Sequence, residues 1–454
     1  MRRFILTSVT AISGFILPAV ALAQTTESDA CPASGCRYRL TPVQLLAEAE
    51  RLVSVHRFED AAPMLKALEA VPSLAMETRF LQGYSAIESG NIDGAISNFR
   101  SILSARPDQT RVRLELARAL MMKGKLGSAD HHFKLAGEDK ALPEDILRAV
   151  RQNRGILRDQ RQWAFSLDLG FAPDSNITNG TNAETVDVNF GPFRLPLTLD
   201  PQARQKSGVG QNAAMSGSFR TALSESAKLL IETDTQATNY KGKASDDFAV
   251  QVAIGPEFAL SDSSSLSVQA IGSQRWYGGK TAAQGGGVRT AAQHEFSGGQ
   301  RIGFSLDARF NKSGLASAYD GWSYGAYATY ERVVARSLIA SANIFARREK
   351  LTSASYSGLE TGASIGLGGE LPLGINAGIT GGISRAAFDA PIALFSNTAR
   401  KDWRLNARAQ IGLRSLRVLG FSPSVTYSFS QTSSSLTLYD SDRHRVRFGF
   451  ARYF

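Results

Sequence analysis

The sequence predicts an α + β chain of two unlike parts: an N-terminal α-solenoid, then an antiparallel transmembrane β-barrel of fourteen strands. Three observations lead there. Residues 41–160 carry Ala, Leu, Glu and Arg at helical spacing and match themselves after a shift of 34 residues. At Trp163 that period stops and an alternation of two begins, each segment having one apolar and one strongly polar face. The connections between the alternating segments are short and long in turn, as in a barrel with tight turns on one side of a membrane and longer loops on the other.

The chain begins with a basic Arg2-Arg3 and an apolar stretch from Phe4 to Val20, closed by Ala21-Leu22-Ala23. These features predict an export signal over residues 1–23, cleaved before Gln24, rather than a membrane anchor. No Cys follows the site directly, so no lipidation is expected there. Residues 24–40 read as a linker. Within it Cys31 and Cys36 flank Pro-Ala-Ser-Gly. In an oxidising compartment a disulfide is expected between them, the alternative being two free thiols; the spacing suits no zinc site. No later apolar run is long enough for a spanning helix. The formal net charge of +10 suits a polar lumen or anionic lipid head groups of the outer membrane. Export makes nucleic acid an unsuitable partner.

In residues 41–160 the shift superposes Ala61, Ala95 and Ala129, then Phe58, Ile92 and Leu126, Gly90 on Gly124, and Phe99 on Phe133. Small Ala residues let paired helices approach, Gly supplies the left-handed turn between them, and Phe fills the groove between neighbouring pairs. No pair buries its apolar face alone, so stacked pairs share a core. The pattern resembles the tetratricopeptide repeat, with units near 41–73, 74–107 and 108–141. Pro143 opens a last helix over 144–160, whose Arg and Gln content suits an exposed cap. Such a scaffold implies a protein ligand without naming it.

Residues 161–454 form the expected barrel. In 302–310 the even positions are Ile302, Phe304, Leu306, Ala308 and Phe310, against Gly303, Ser305, Asp307 and Arg309. In 403–414, Trp403, Leu405, Ala407, Ala409, Ile411 and Leu413 alternate with Arg404, Asn406, Arg408, Gln410 and Arg414. Arg301, Asp307, Arg309, Arg404, Asn406, Arg408, Gln410 and Arg414 are thus candidate lumen residues. Long connections are expected at 173–206, 240–246, 277–284, 312–320, 349–355, 388–400 and 431–442, and short turns between them. The repeat domain then shares the periplasmic side with the short turns. Trp276, Tyr277, Trp322, Tyr324 and Trp403 suit interfacial girdles. Phe448 and Phe450 lie on one face of the last segment, which stops at Phe454. This end resembles the signal read by the barrel assembly machinery, with Arg452 departing from the pattern.

Catalytic constellations are weak. His56, His131 and His132 lie on or near predicted turns and read as solvated. His294 stands mid-strand beside Glu295; a Ser-His-acid hydrolase needs a distinguished nucleophile, and Ser is common throughout the barrel. Gly285-Gly286-Gly287 reads as a flexible loop–strand junction. No metal, cofactor or enzyme activity is expected.

Pro173-Asp174-Ser175-Asn176-Ile177 follows the first strand directly. By chemistry it is an Asx-type turn. A first strand ending in Asp174-Ser175-Asn176, in a chain with helical repeats before a fourteen-stranded barrel, resembles the surface lipoprotein assembly modifier family. The resemblance covers essentially the whole mature chain. It implies an outer-membrane translocator of a surface lipoprotein or a secreted haem- or metal-scavenging protein, delivered by periplasmic chaperones and assembled by the barrel machinery. A polysaccharide export porin, a passive porin and an outer-membrane hydrolase remain the other readings.

Overall fold

The computed structural model describes residues 39–454 except 140, 191–192, 202, 225, 297–298, 414–415, 417–420 and 454. The expected export signal, Cys31, Cys36, Arg414 and Phe454 lie outside the described residues.

Among the described residues seven helices come first: α1 (Pro42–Ser54), α2 (Phe58–Leu68), α3 (Ala75–Glu88), α4 (Ile92–Ala105), α5 (Thr110–Met122), α6 (Leu126–Ala136) and α7 (Glu144–Gln160). The chain enters α1 through a capping box. Thr41 accepts from the Gln44 backbone, Gln44 reaches back to Thr41, and Pro42 occupies the first turn. Gly90 and Gly124 sit at φ +82° and +75° between paired helices, the left-handed region that favours glycine. Ala61, Ala95, Ala129 and Phe99 are fully buried and Phe133 nearly so. Phe99 lies so close to α3 that a Cβ on Gly83 would be 2.6 Å from its ring. Gly83 was not singled out in the sequence, because it breaks a helix-favouring run and repeats nowhere at that spacing.

Fourteen strands then close into one antiparallel barrel: β1 (Trp163–Asp174), β4 (Gly208–Ala222), β5 (Ala227–Tyr240), β6 (Asp247–Ser261), β7 (Ser264–Tyr277), β8 (Lys280–Glu295), β9 (Gln300–Ser313), β10 (Gly321–Val334), β11 (Leu338–Leu351), β12 (Gly358–Leu371), β13 (Ile375–Phe388), β14 (Lys401–Leu413), β15 (Ser422–Ser434) and β16 (Ser441–Tyr453). A separate hairpin, β2 (Thr185–Phe190) with β3 (Phe193–Thr198), stands within the first long connection. Each barrel strand pairs with its sequence neighbour, and β1 pairs with β16 to complete the ring. Closure leaves no open edge. Large apolar side chains cover the outside: Phe304 is 54% exposed, Leu306 62%, Ile365 72% and Ile379 61%. A water-soluble protein rarely shows so large an apolar surface, whereas a lipid-facing wall requires it. No helix among the described residues is long and apolar enough to cross a membrane.

The structure corrects five sequence expectations. The connection at 173–206 holds the β2–β3 hairpin, not plain loop. The connection at 277–284 shrinks to the turn Gly278-Gly279, at φ +59° and +77°, the conformation that closes a two-residue hairpin. Gly285-Gly286-Gly287 therefore lies inside β8, where the close approach of β9 explains it: a Cβ on Gly287 would overlap the Ala308 carbonyl. His131 and His132 lie within α6 rather than near a turn, and His132 is buried at 8% exposure. Finally, α7 is not a free cap, since Val150 and Leu157 are buried and Arg154 meets the barrel.

Candidate functional site

The helices meet the barrel through charged side chains aimed at three successive turns. Arg113 on α5 is 1% exposed. Its Nη1 donates to Glu370 Oε2 of β12 at 2.8 Å, and its Nη2 donates to the Pro107 carbonyl at 2.5 Å. His132 Nδ1 stands 3.3 Å from the same guanidinium. On α7, Arg154 donates to Asp130 at 2.8 Å and to Glu295, the last residue of β8, at 2.5 Å. Arg336, in the β10–β11 turn, donates to Asp139 at 3.2 Å, and Lys134 lies 3.7 Å from Glu331. α4 packs on the turn Pro372–Gly374 after β12. Glu138 lies over Gly299, where any Cβ would overlap its carboxylate. Burial pushes the Glu138 carboxyl up to about 7, with Glu295 adding to the rise and Lys134, Arg154 and Arg332 opposing it. Desolvating such ions costs several kcal/mol each unless partners replace water; Arg113, Arg154, Arg336 and Lys134 each have one, whereas burial raises the Glu138 carboxyl instead. The pairs therefore set a definite seat for the helices on the barrel rim.

The polar face of the wall carries a second network. Arg309 donates to Asp307 at 2.7 Å and to Gln251 of β6 at 2.9 Å. Arg289 of β8 pairs with Glu232 of β5 and donates to Gln269 of β7. Side chains three strands apart in a closed barrel meet only across its interior. Arg404 and Arg347 share Glu360, at 2.9 and 2.7 Å. Arg301 pairs with Glu331 at 2.7 Å. Arg408 reaches Gln410 at 3.5 Å, and Asn406 lies beside Gly382 of β13, with which it is in register. Ten or more such charges facing one another, rather than lipid, give a wettable interior of mixed sign.

At the barrel end opposite the helices, Asp174 is fully buried and accepts from Arg443 at 2.5 Å, Tyr240 at 2.9 Å and the Asn176 backbone at 3.0 Å. Ser175 exchanges two bonds with His444, at 2.9 and 2.8 Å. Asn176 donates to the carbonyls of Gly180 and Asp442. The β2–β3 hairpin leans across to the β13–β14 loop, where Asn189 N donates to the Leu394 carbonyl at 2.7 Å. Nearby, the Arg400 guanidinium lies 3.7 Å from the Phe388 ring centre and 3.6 Å from that of Tyr439, tying two loops together.

Ser264 bonds His294 at 2.8 Å, in a cross-strand position of the wall rather than a cleft. Among the described residues no group of three or more His, Cys, Asp and Glu is placed to hold a metal. Phe448 and Phe450 point outward, 54% and 51% exposed. Sequence reasoning missed Arg113, Arg154, Glu295 and Glu370. Charged residues in helices and at strand ends look like solvated surface until their partners are seen.

Comparison with known proteins places this architecture. A family model described as surface lipoprotein assembly modifier matches residues 163–454, and a tetratricopeptide repeat model matches residues 86–150. The chain is 24% identical over 228 residues to a surface lipoprotein assembly modifier of Moraxella catarrhalis, an alignment covering 48% of this chain and 41% of that one. It thus spans less than half the length of that relative. It is 20% identical to the Pasteurella multocida surface lipoprotein assembly modifier, over 83% of this chain and 76% of the relative. It is also 20% identical to a hemophilin secretion modulator of Acinetobacter baumannii, over 82% and 77% of the two chains. The family match runs from the first residue of β1 through the last strand, well over half of the chain, and this outer-membrane barrel protein belongs to the surface lipoprotein assembly modifier family.

Proposed function

We propose that the protein moves one specific protein, a surface lipoprotein or a secreted haem- or metal-scavenging protein, from the periplasm to the cell exterior. The helical repeats receive that passenger on the periplasmic side and hand it to the barrel, whose polar face, Arg301, Asp307, Arg309, Arg404, Asn406, Arg408 and Gln410 included, lines the path. The observation that carries the reading is the ion-paired seat of the repeats on the rim, centred on Arg113 and Glu370. A stackable scaffold of the kind that binds proteins is held at the mouth of a polar-walled barrel, an arrangement a passive pore does not need. The names of the relatives, an assembly modifier of surface lipoproteins and a secretion modulator of hemophilin, support the class of passenger.

The test compares cells carrying the full chain, the chain lacking residues 41–160, or neither, and reads exported proteins at the surface and in the medium. One protein should reach the exterior only with the full chain, while the truncated barrel still folds and fails to export it. Equal export by the truncated barrel overturns the receiving role. Dependence of an exopolysaccharide, and of no protein, overturns the translocator reading.

A further inference from the structure

We infer that the β1–β16 seam is where this barrel opens sideways, and that Asp174, Ser175 and Asn176 are the latch that holds its outer end shut. Two independent observations support this. First, the seam has the shortest ladder. Among the described residues β1 and β16 share seven backbone pairs, six of them consecutive from Ser166–Tyr453 to Phe171–Phe448 and the seventh at Asp174–Arg445. Every other barrel seam has eleven or more, and β10–β11 has fourteen. The ladder is broken before Asp174 at Pro173, which has no N–H to donate. It is also the one seam whose two strands are not joined by a connecting loop, so parting them stretches no chain.

Second, just beyond the break the seam is held mostly by side chains, with one backbone bond, from Ser175 N to the His444 carbonyl, beside them. Asp174 holds Arg443 through three contacts of 2.5–3.0 Å, with Arg445 at 3.7 Å, all across the seam. Ser175 and Asn176 bind the backbone of His444 and Asp442. Tyr240 of β5 bonds the same carboxylate from the far side of β4. A strand pair closed by ionic and side-chain bonds at a polar boundary is released more readily than one closed by backbone bonds in lipid, where each lost bond goes unreplaced. The inference rests on the translocator reading for its purpose: a passenger bearing acyl chains has to leave a polar interior for lipid, and the wall has to part for it.

Hydrogen exchange of the full chain in lipid nanodiscs tests the seam without any passenger. Amides around Leu169 and Phe450 should exchange about tenfold faster than those of β10 and β11, and Asp174→Asn should raise the seam rate about tenfold again while leaving β10–β11 unchanged. Ser175→Ala, which removes one latch bond, serves if Asp174→Asn fails to fold. Equal protection of the two seams, or latch variants without effect on the seam, overturns the inference. A second arm uses Leu169→Cys with Phe450→Cys, in register across the seam, with Cys31 and Cys36 changed to Ser. The control is Ala328→Cys with Ile344→Cys on β10–β11. Both pairs are scored for surface levels of whichever exported protein depends on the chain. Oxidising the seam pair should stop export reversibly, and oxidising the control should not. Undiminished export through the oxidised seam, or an equal block by both, overturns the seam. If no exported protein depends on the chain, the translocator reading fails, and the exchange rates still decide whether the seam opens.

Discussion

Arg113 of α5 meets Glu370 of β12 at 2.8 Å with 1% and 6% of the two side chains exposed. The pair joins the two halves of the molecule in a place water does not reach. Arg113→Ala leaves a buried carboxylate beside His131 without its main counter-charge, which costs about 3–5 kcal/mol. The variant should lower the denaturant midpoint of the helical signal in detergent-solubilised protein. Arg113→Met combined with Glu370→Leu, which removes both charges, should recover most of that loss. A single variant that unfolds like the native chain would show that the pair contributes nothing to the seat.

Glu138 makes the same seat sensitive to pH. Docked, its carboxyl holds a proton up to about 7; released into water, it returns toward its ordinary 4.5. The docked state therefore binds more protons between those values, so docking strengthens as pH falls from about 7 toward 4.5 and gains nothing further below that. Fluorescence transfer between a donor on α6 and an acceptor on the β8–β9 turn should report tighter docking at pH 5 than at pH 7.5. Glu138→Gln should flatten the profile; an unchanged slope in that variant would assign the dependence to another group.

Phe99 fills the groove between α3 and α4 against Gly83. Phe99→Ala should destabilise the helical part by about 3–5 kcal/mol, seen as an earlier loss of helical circular dichroism. The barrel, whose ladders involve none of these residues, should keep its heat-modifiable mobility on gels. Simultaneous loss of both would mean that the repeats are needed for barrel assembly.

Orientation is tested by epitope tags. A tag in 388–400 or 431–442, at the end opposite the helices, should bind antibody on intact cells. A tag in the β10–β11 turn at 335–337 should bind only after permeabilisation. Equal access at both would contradict the proposed placement of the repeats in the periplasm.

Much of this architecture was legible in the sequence because periodicity is set locally. A lipid face and a polar face on one strand force the alternation seen at Ile302–Phe310, and a shared helical core forces the 34-residue recurrence of Ala61, Ala95 and Ala129. The β2–β3 hairpin was not legible, since its Phe193, Leu195 and Leu197 are all exposed in a strand that belongs to no barrel wall. The Gly278-Gly279 turn was hidden because Thr281 to Gly287 lack large apolar side chains to mark the strand. The helix–barrel seat was beyond reach for a different reason. Its partners lie 141, 197 and 257 residues apart, and no local pattern connects Arg113 to Glu370.

Those separations also impose an order of events. The ribosome makes Arg113 long before Glu370, and Arg154 before Glu295. The repeats have local cores and fold early, with their rim-binding arginines still waiting in water. The turns that receive them exist only once β8 to β13 have been threaded into the membrane and paired. Docking of the helices therefore cannot precede the pairing of β8 to β13, and a chain whose wall stops short of those strands keeps its repeats undocked.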